Sequence, residues 1–92
     1  MIGHNKKIAR PIGAWAKEAR KSVGLSVEDM AAILDVSTSF IYKAEGGFTT
    51  PHLSTILEIA AATGSSPVQT FASIVEEYMA EHSTDDIDYE RG

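Results

Sequence analysis

The side chains that could bind a metal or carry acid–base chemistry are few and scattered along this sequence. His4, His52 and His82 have no acidic or thiol partner at metal-ligand spacing, and the 92 residues contain no cysteine. Glu28 and Asp29 are neighbours, so on a helix they point to different sides. The sequence has no glycine-rich phosphate loop and no nucleophile elbow. These residues predict no enzyme, no cofactor and no metal site, which leaves binding as the class of function to consider.

Charge is distributed unevenly along the chain. The formal net charge of −5 disfavours a nucleic-acid partner, because phosphate neutralisation needs Lys and Arg. However, residues 76–92 carry seven acidic side chains against Arg91 alone, whereas residues 1–75 carry seven basic and six acidic ones. The body is therefore weakly basic and the C-terminal segment is acidic.

The sequence also bears on location. Its first residues lack the apolar stretch of a signal peptide, and no apolar run approaches the roughly 20 residues that a membrane span needs. The absence of cysteine suits a reducing compartment. We expect a cytoplasmic protein with one core and no membrane partner.

The elements that must position any binding residue are predicted to be helices. Pro11 suits the first turn of a helix over about residues 11–22. Ser26 and Asp29 have the spacing of a capping box at the start of a short second helix. The residues predicted to face the core at helical spacing are Ile12, Trp15, Ala16, Ala19, Met30, Ala31, Ile33 and Leu34.

A third short helix follows after a break of about three residues. Ser37 can cap it, and Gly46 and Gly47 end it, so that it spans about residues 38–46. Two short helices joined in this way form the motif whose second helix can enter the major groove of DNA.

Two further helices complete an all-α domain of five helices. Thr50 and Pro51 predict the N-cap and first position of the fourth helix, with Gly64 ending it, and Ser66 and Pro67 repeat the same signal for the fifth. The predicted inward residues of the fourth helix are Leu53, Ile56, Leu57, Ala60 and Ala61.

The chain ends are predicted to lie outside the domain. We expect residues 1–10 to form a flexible basic arm, residues 11–82 the domain, and residues 83–92 an acidic disordered tail. The arm carries Lys6, Lys7 and Arg10, which is compatible with a solvated terminus or with wrapping into an adjacent DNA groove. The tail is compatible with a solubilising end, a competitor of nonspecific DNA binding or a partner-binding segment.

Across about residues 12–75 the sequence resembles the λ-repressor and Cro-like family of DNA-binding domains, often called the XRE family. The resemblance implies a compact five-helix helix-turn-helix domain. It is carried by Arg20, Gly24-Leu25-Ser26, Met30-Ala31, Val36-Ser37, Ile41, Glu45-Gly46-Gly47, Pro51, Leu57, Ala60, Gly64 and Pro67.

The resemblance implies which positions face DNA. Thr38, Ser39 and Tyr42 are the candidates for base edges because their hydroxyls can donate or accept, and Lys43 is a candidate phosphate contact. The third helix, which would be the recognition helix of this motif, however has one cation and no Arg, Asn or Gln. The other candidate contacts are Val27 at the start of the second helix, Ser37, Thr49, Thr50 and Ser54 near helix N-termini, and Lys6 and Lys7 in the arm.

The resemblance also implies structural roles. Arg20 is expected to pair with Glu45 in a buried or half-buried ion pair, as in the family. Ala31 is small where the two helices of the motif cross, and Gly47 permits the turn out of the third helix. Trp15 lies in the apolar stripe of the first helix, so core packing is favoured over base stacking.

The apolar stripe of the last helix is wider than one small core needs. Its second half is expected to pair with another copy in a symmetric homodimer, as relatives often do, although all of it could instead pack on the first helix. The residues assigned to dimerisation are Phe71, Ile74, Val75, Tyr78 and Met79.

Two functions follow from these observations. The first is a sequence-specific regulator of transcription, a dimeric repressor with helix 38–46 in the major groove of a palindromic operator in duplex DNA, similar to those of phages and mobile elements. The second is the same fold used as a protein-binding module, such as an antiactivator that sequesters a transcription factor. Net acidity, Val27 and the paucity of base-reading side chains favour the second, in which Tyr42 and Phe48 contact a protein groove.

Overall fold

A computed structural model describes the backbone of residues 5–90 and the side chains of residues 5–82. Within this range the chain forms five helices and no strand, so the predicted all-α, five-helix fold is confirmed. The helices are α1 (Lys6–Ser22), α2 (Val27–Leu34), α3 (Thr38–Glu45), α4 (Leu53–Thr63) and α5 (Val68–Glu90).

Helix α1 begins five residues earlier than predicted. Asn5 is its N-cap, and the Asn5 side chain accepts a hydrogen bond of 2.9 Å from the backbone N–H of Lys7. Pro11 lies inside the helix instead of opening it. The predicted flexible arm over 1–10 is therefore wrong for residues 6–10, which are helical, while residues 1–4 lie outside the described residues.

The two short helices begin where their capping signals predict. Ser26 and Asp29 form the capping box, with the Asp29 N–H donating to Ser26 Oγ at 2.9 Å and the Ser26 N–H donating to Asp29 at 3.0 Å. Hydrogen bonding of the Asp29 carboxylate to the backbone N–H and then the side chain of Ser26 lowers the pKa of Asp29. Ser37 Oγ accepts from the Phe40 N–H at 3.1 Å, which caps α3.

The boundaries of the last two helices differ from the prediction. Helix α4 begins at Leu53, with His52 as an N-cap that makes no side-chain hydrogen bond, so Thr50 is not the cap. Helix α5 continues to Glu90, eight residues into the segment expected to be disordered. That segment has no Pro or Gly before Glu90 that would stop a helix. Residues 91–92 lie outside the described residues.

Helix α1 is the centre of the packing, because it contacts α3, α4 and α5, while α2 packs on α3 and α4. One buried cluster joins α1, α2, α3 and α4: Ala16, Val27, Met30, Ala31, Ile41 and Ile59, with Trp15, Leu25, Leu34, Val36 and Phe40 packed against it. Trp15 thus packs on the core as predicted, and its indole N–H donates to Ser65 Oγ at 3.0 Å. This bond ties the α4–α5 connection to α1.

The predicted inward side of α4 is partly wrong. Ile56 is buried as predicted, but Leu53, Leu57 and Ala61 are exposed. The helix also buries Ile59 and Thr63, which were not predicted to face inward. Ile33 of α2, also predicted to be inward, is 53% exposed. Helical spacing predicts that a helix has an apolar stripe, but which residues of the stripe are buried depends on where the neighbouring helices lie. No helix in the described range is long and apolar enough to cross a membrane.

Candidate nucleic-acid interface

Helix α3 presents a polar face to solvent. Thr38, Ser39, Tyr42 and Lys43 are all exposed, and Tyr42 retains 59% of its accessible surface. The opposite side of the helix buries Ile41 and Ala44. The four side chains predicted to face DNA therefore share the accessible side of one short helix, where a groove of about 12 Å width could receive them.

The position of α3 is set by a close crossing with α1. Gly13 is buried in α1, and a Cβ at this position would lie against the carbonyl oxygen of Ala44 and 2.8 Å from that of Glu45. Only a residue without a side chain allows the two backbones to approach this closely. The sequence analysis missed Gly13, and the signal was an isolated glycine inside an amphipathic helix.

A buried ion pair joins the same two helices. The expected pair is present, and it is bidentate: Arg20 Nε donates to Glu45 Oε2 at 2.7 Å and its Nη2 donates to Oε1 at 3.0 Å. Both side chains are only 9% exposed. Arg20 also donates to the carbonyl of Leu25 at 2.9 Å, which connects the pair to the start of the α2 segment. The hydrogen bond with Glu45 raises the pKa of Arg20.

The turn after α3 brings a cation of α1 beside the end of α3. Gly47 adopts a φ of +78°, which confirms the glycine turn predicted there. A Cβ on Gly47 would lie 2.8 Å from Cγ of Arg10, so the Arg10 side chain crosses this turn. Arg10 is exposed. The sequence analysis placed Arg10 in the arm and did not select it as a contact. Arg10 and Gly47 come together only through the crossing of α1 and α3, which sequence spacing does not reveal.

Two of the predicted DNA contacts are wrong. Val27 is buried at 9% exposure in the core cluster, because its apolar side chain packs with Ala16 and Met30 instead of facing solvent. The hydroxyl of Thr50 is inaccessible and has no hydrogen-bond partner within the described residues, so it is not offered to a phosphate. Thr49 is half-buried, while Ser37 and Ser54 are exposed.

Lys7 is tied to α5. Its Nζ lies 2.6 Å from Glu81 Oε2, with the two side chains 67% and 40% exposed. This hydrogen bond raises the pKa of Lys7 and lowers that of Glu81. Lys6 is exposed and, like Lys7, lies in the first turn of α1. The two predicted arm contacts are thus held on a helix.

The residues assigned to dimerisation lie on one side of α5. Val75, Tyr78 and Met79 are 56%, 48% and 52% exposed, and Phe71 and Ile74 are half-buried. Val68 is also exposed at 63%, and it shares a stripe with Val75 and Met79 through spacings of seven and four residues. The exposed apolar stripe is consistent with a further packing partner.

Comparison with known proteins gives the family. A family model described as Helix-turn-helix matches residues 17–69, more than half of the chain. This chain therefore belongs to the λ-repressor-like helix-turn-helix family, as its sequence motifs predicted, and the family consists of DNA-binding regulators of transcription. No curated protein sequence matches the chain.

Proposed function

We propose that this protein is a sequence-specific repressor that binds a palindromic DNA operator as a homodimer, with α3 in the major groove. The observation that carries the proposal is the set of exposed side chains on α3, Thr38, Ser39, Tyr42 and Lys43, on a helix fixed from behind by α1. Hydroxyls can read base edges, and a lysine can neutralise a phosphate.

The dimer is supported by the apolar stripe on α5. A monomer leaves Val68, Val75 and Met79 about half or more exposed on a single side of the helix. Pairing two copies of such a stripe about a twofold axis removes this surface from water and spaces two α3 helices for successive major grooves. Blocking a promoter requires no activity beyond such binding.

The proposal is tested by titrating the purified protein against pooled duplexes, including the DNA upstream of its own gene, at two salt concentrations. We expect retention of one palindromic sequence, with an affinity that falls as salt rises. Thr38→Ala and Tyr42→Ala should change the preferred sequence, whereas Lys43→Ala should weaken all sites and lower the salt slope by about one. Ser73→Ala, on an exposed position of α5, is the matched control. Unchanged affinity and sequence preference in all three α3 variants would remove α3 from the interface.

The homodimer needs its own measurement. Replacing Val75 and Met79 together with Ser should shift the molar mass in sedimentation from dimer to monomer while leaving the helical content unchanged. The same double variant should still bind a half-site and should lose the increase in affinity that a full palindrome provides. A wild-type protein that is monomeric at micromolar concentration and on DNA would contradict the dimer.

A second candidate, a protein-binding module, is favoured by one observation. Phe48, in the turn that follows α3, is 74% exposed, and α2 carries Glu28 and Asp29 without a cation. An apolar and acidic surface of this kind suits a basic protein groove. Failure of the wild type to bind any duplex at low salt, together with an α3-dependent complex with a transcription factor, would establish this alternative.

A further inference from the structure

Helix α1 carries a stripe of positive charge along its whole length. Lys6, Arg10, Lys17 and Lys21 fall within an arc of about 60° at 3.6 residues per turn, and all four are exposed. We call these four residues the cationic stripe. They are half of the eight Lys and Arg residues of the chain.

The stripe is segregated from acidic groups. In the part of the chain whose side chains are described, the ion pairs within 4.0 Å are Lys7–Glu81 and Arg20–Glu45, and neither includes a stripe residue. Glu18 is the one acidic residue of α1, and it lies about 90° around the helix from the centre of the stripe. Acidic side chains approach the stripe at its N-terminal end, where Glu77 of α5 lines the same cleft as Lys6 and Arg10.

The stripe continues the surface formed by α3. Arg10 lies against Gly47 in the turn that follows α3, and Gly13, which borders the stripe, packs on the carbonyls of Ala44 and Glu45. The contacts of Arg10 and Gly13 therefore place this part of α1 beside the C-terminal end of α3 and the turn that follows it. From Lys6 to Lys21 the stripe is about 22 Å long, which equals the rise of roughly six base pairs.

We propose that the cationic stripe binds the phosphate backbone of the DNA that flanks the bases read by α3. This inference rests on the proposed function. Helix α3 offers one exposed cation, Lys43, and α2 offers Glu28 and Asp29, so the helix-turn-helix itself supplies little of the phosphate neutralisation that DNA affinity requires. The stripe supplies that charge from a second helix in a chain whose net charge is −5.

The test compares Lys17→Gln and Lys21→Gln with a charge-matched control. Gln69→Glu on α5 lowers the net charge by the same single unit at an exposed position outside the stripe. In anisotropy titrations against the selected operator, each stripe variant should weaken binding about tenfold at roughly 0.05 M salt and lower the log–log salt slope by about 0.9 for each phosphate that it no longer neutralises. Gln69→Glu should change both quantities much less, and Thr38→Ala should change sequence preference without a comparable change in slope.

Duplex length separates flanking contacts from a general charge effect. Wild-type affinity should rise as flanking base pairs are added to the operator, and the double variant Lys17→Gln/Lys21→Gln should not show this rise. Stripe variants that bind like Gln69→Glu, or that weaken trimmed and extended duplexes equally, would overturn the inference while leaving α3 as the reading helix. A wild type that binds no duplex would instead refute the proposed function itself, and the inference with it. Thermal melting of each variant checks that the fold is intact.

Discussion

Two ion pairs connect α1 to later helices, and they differ in environment more than in distance. Arg20 and Glu45 approach to 2.7 Å at the α1–α3 crossing, and Lys7 and Glu81 approach to 2.6 Å at the α1–α5 contact. The first pair is 9% exposed on both sides and the second 67% and 40%. Removing one partner of a buried pair strands a charge, whereas an exposed charge is solvated by water. The N–O distance alone therefore does not show which ion pair contributes more to stability.

The comparison assigns different tasks to the two sides of α1. The α1–α3 crossing, with Gly13 and the Arg20–Glu45 pair, holds the proposed recognition helix in one position. The α1–α5 side leaves an apolar stripe of α5 exposed and is joined by a solvated ion pair. The orientation of α3 is therefore fixed within a single chain, while α5 keeps an exposed apolar surface that the proposed dimer would cover.

The largest expected effect comes from Gly13→Ala at the α1–α3 crossing. The new methyl group would overlap the backbone carbonyls of Ala44 and Glu45, which cannot rotate away, so we expect a loss of at least about 3 kcal/mol in the free energy of unfolding. The change runs against the gain of about 1 kcal/mol that Gly to Ala brings in a helix interior. Urea denaturation measures it, with Ala14→Gly in the same turn as the control for propensity. A stabilised Gly13→Ala protein would disprove the close crossing.

Glu45→Ala should have an effect of comparable size because it leaves the Arg20 charge buried without its partner. We expect a loss of roughly 3–5 kcal/mol in unfolding free energy. The double variant Arg20→Met/Glu45→Leu should recover most of this loss, since two apolar side chains leave no charge unpaired. If the single and double variants are equally unstable, the loss of stability comes from altered side-chain packing and not from the unpaired Arg20 charge.

Ser65→Ala should produce a smaller loss. It removes the acceptor of the Trp15 indole N–H, which then lies half-buried without that bond. We expect about 1 kcal/mol in urea denaturation and a shift in the fluorescence of the single tryptophan. Ser73→Ala, an exposed serine on α5, is the control. Equal stability of the two variants would mean that the α4–α5 connection is held by packing alone.

The smallest effect is expected for Glu81→Gln at the exposed pair. The stabilisation from the lowered pKa of Glu81 is present above its ordinary value of 4.5 and is lost as the pH falls through the lower folded value. That from the raised pKa of Lys7 is present below 10.5 and is lost as the pH rises through the higher folded value. Because both groups are solvated, Glu81→Gln should leave the denaturation midpoint at pH 7 unchanged within error. A large loss there would mean that the α1–α5 contact is as tightly coupled as the crossing.

Local signals in the sequence predicted the helices well where capping residues act on their own neighbours. Ser26 with Asp29 and Ser37 mark the starts of α2 and α3, and Gly64 ends α4 with a φ of +74°. The predicted starts of α1 and α4 were wrong because a proline was taken as the first helical residue. The helices begin at Lys6 and Leu53, with Asn5 and His52 as their N-caps. Proline suits a first turn but does not require one.

The candidate site was predicted in part. The exposed residues of α3 and the Arg20–Glu45 pair were expected from the resemblance to the family, and the structure shows those side chains exposed and the pair formed. Val27 was misplaced because an apolar residue at the first position of α2 packs into the core. Arg10 was passed over because its neighbour, Gly47, is 37 positions away in the chain.

Local signals in the sequence were enough to predict five helices with a helix-turn-helix motif among them. Capping bonds, glycine turns and apolar spacing act within a few residues, so they can be recognised without the fold. Which faces of α2 and α4 are buried became known only from the packing of the helices. The same holds for the crossing of α1 and α3 at Gly13 and for the position of Arg10 beside the turn after α3. Those features depend on how helices lie against one another, which is a balance of packing among residues far apart in sequence.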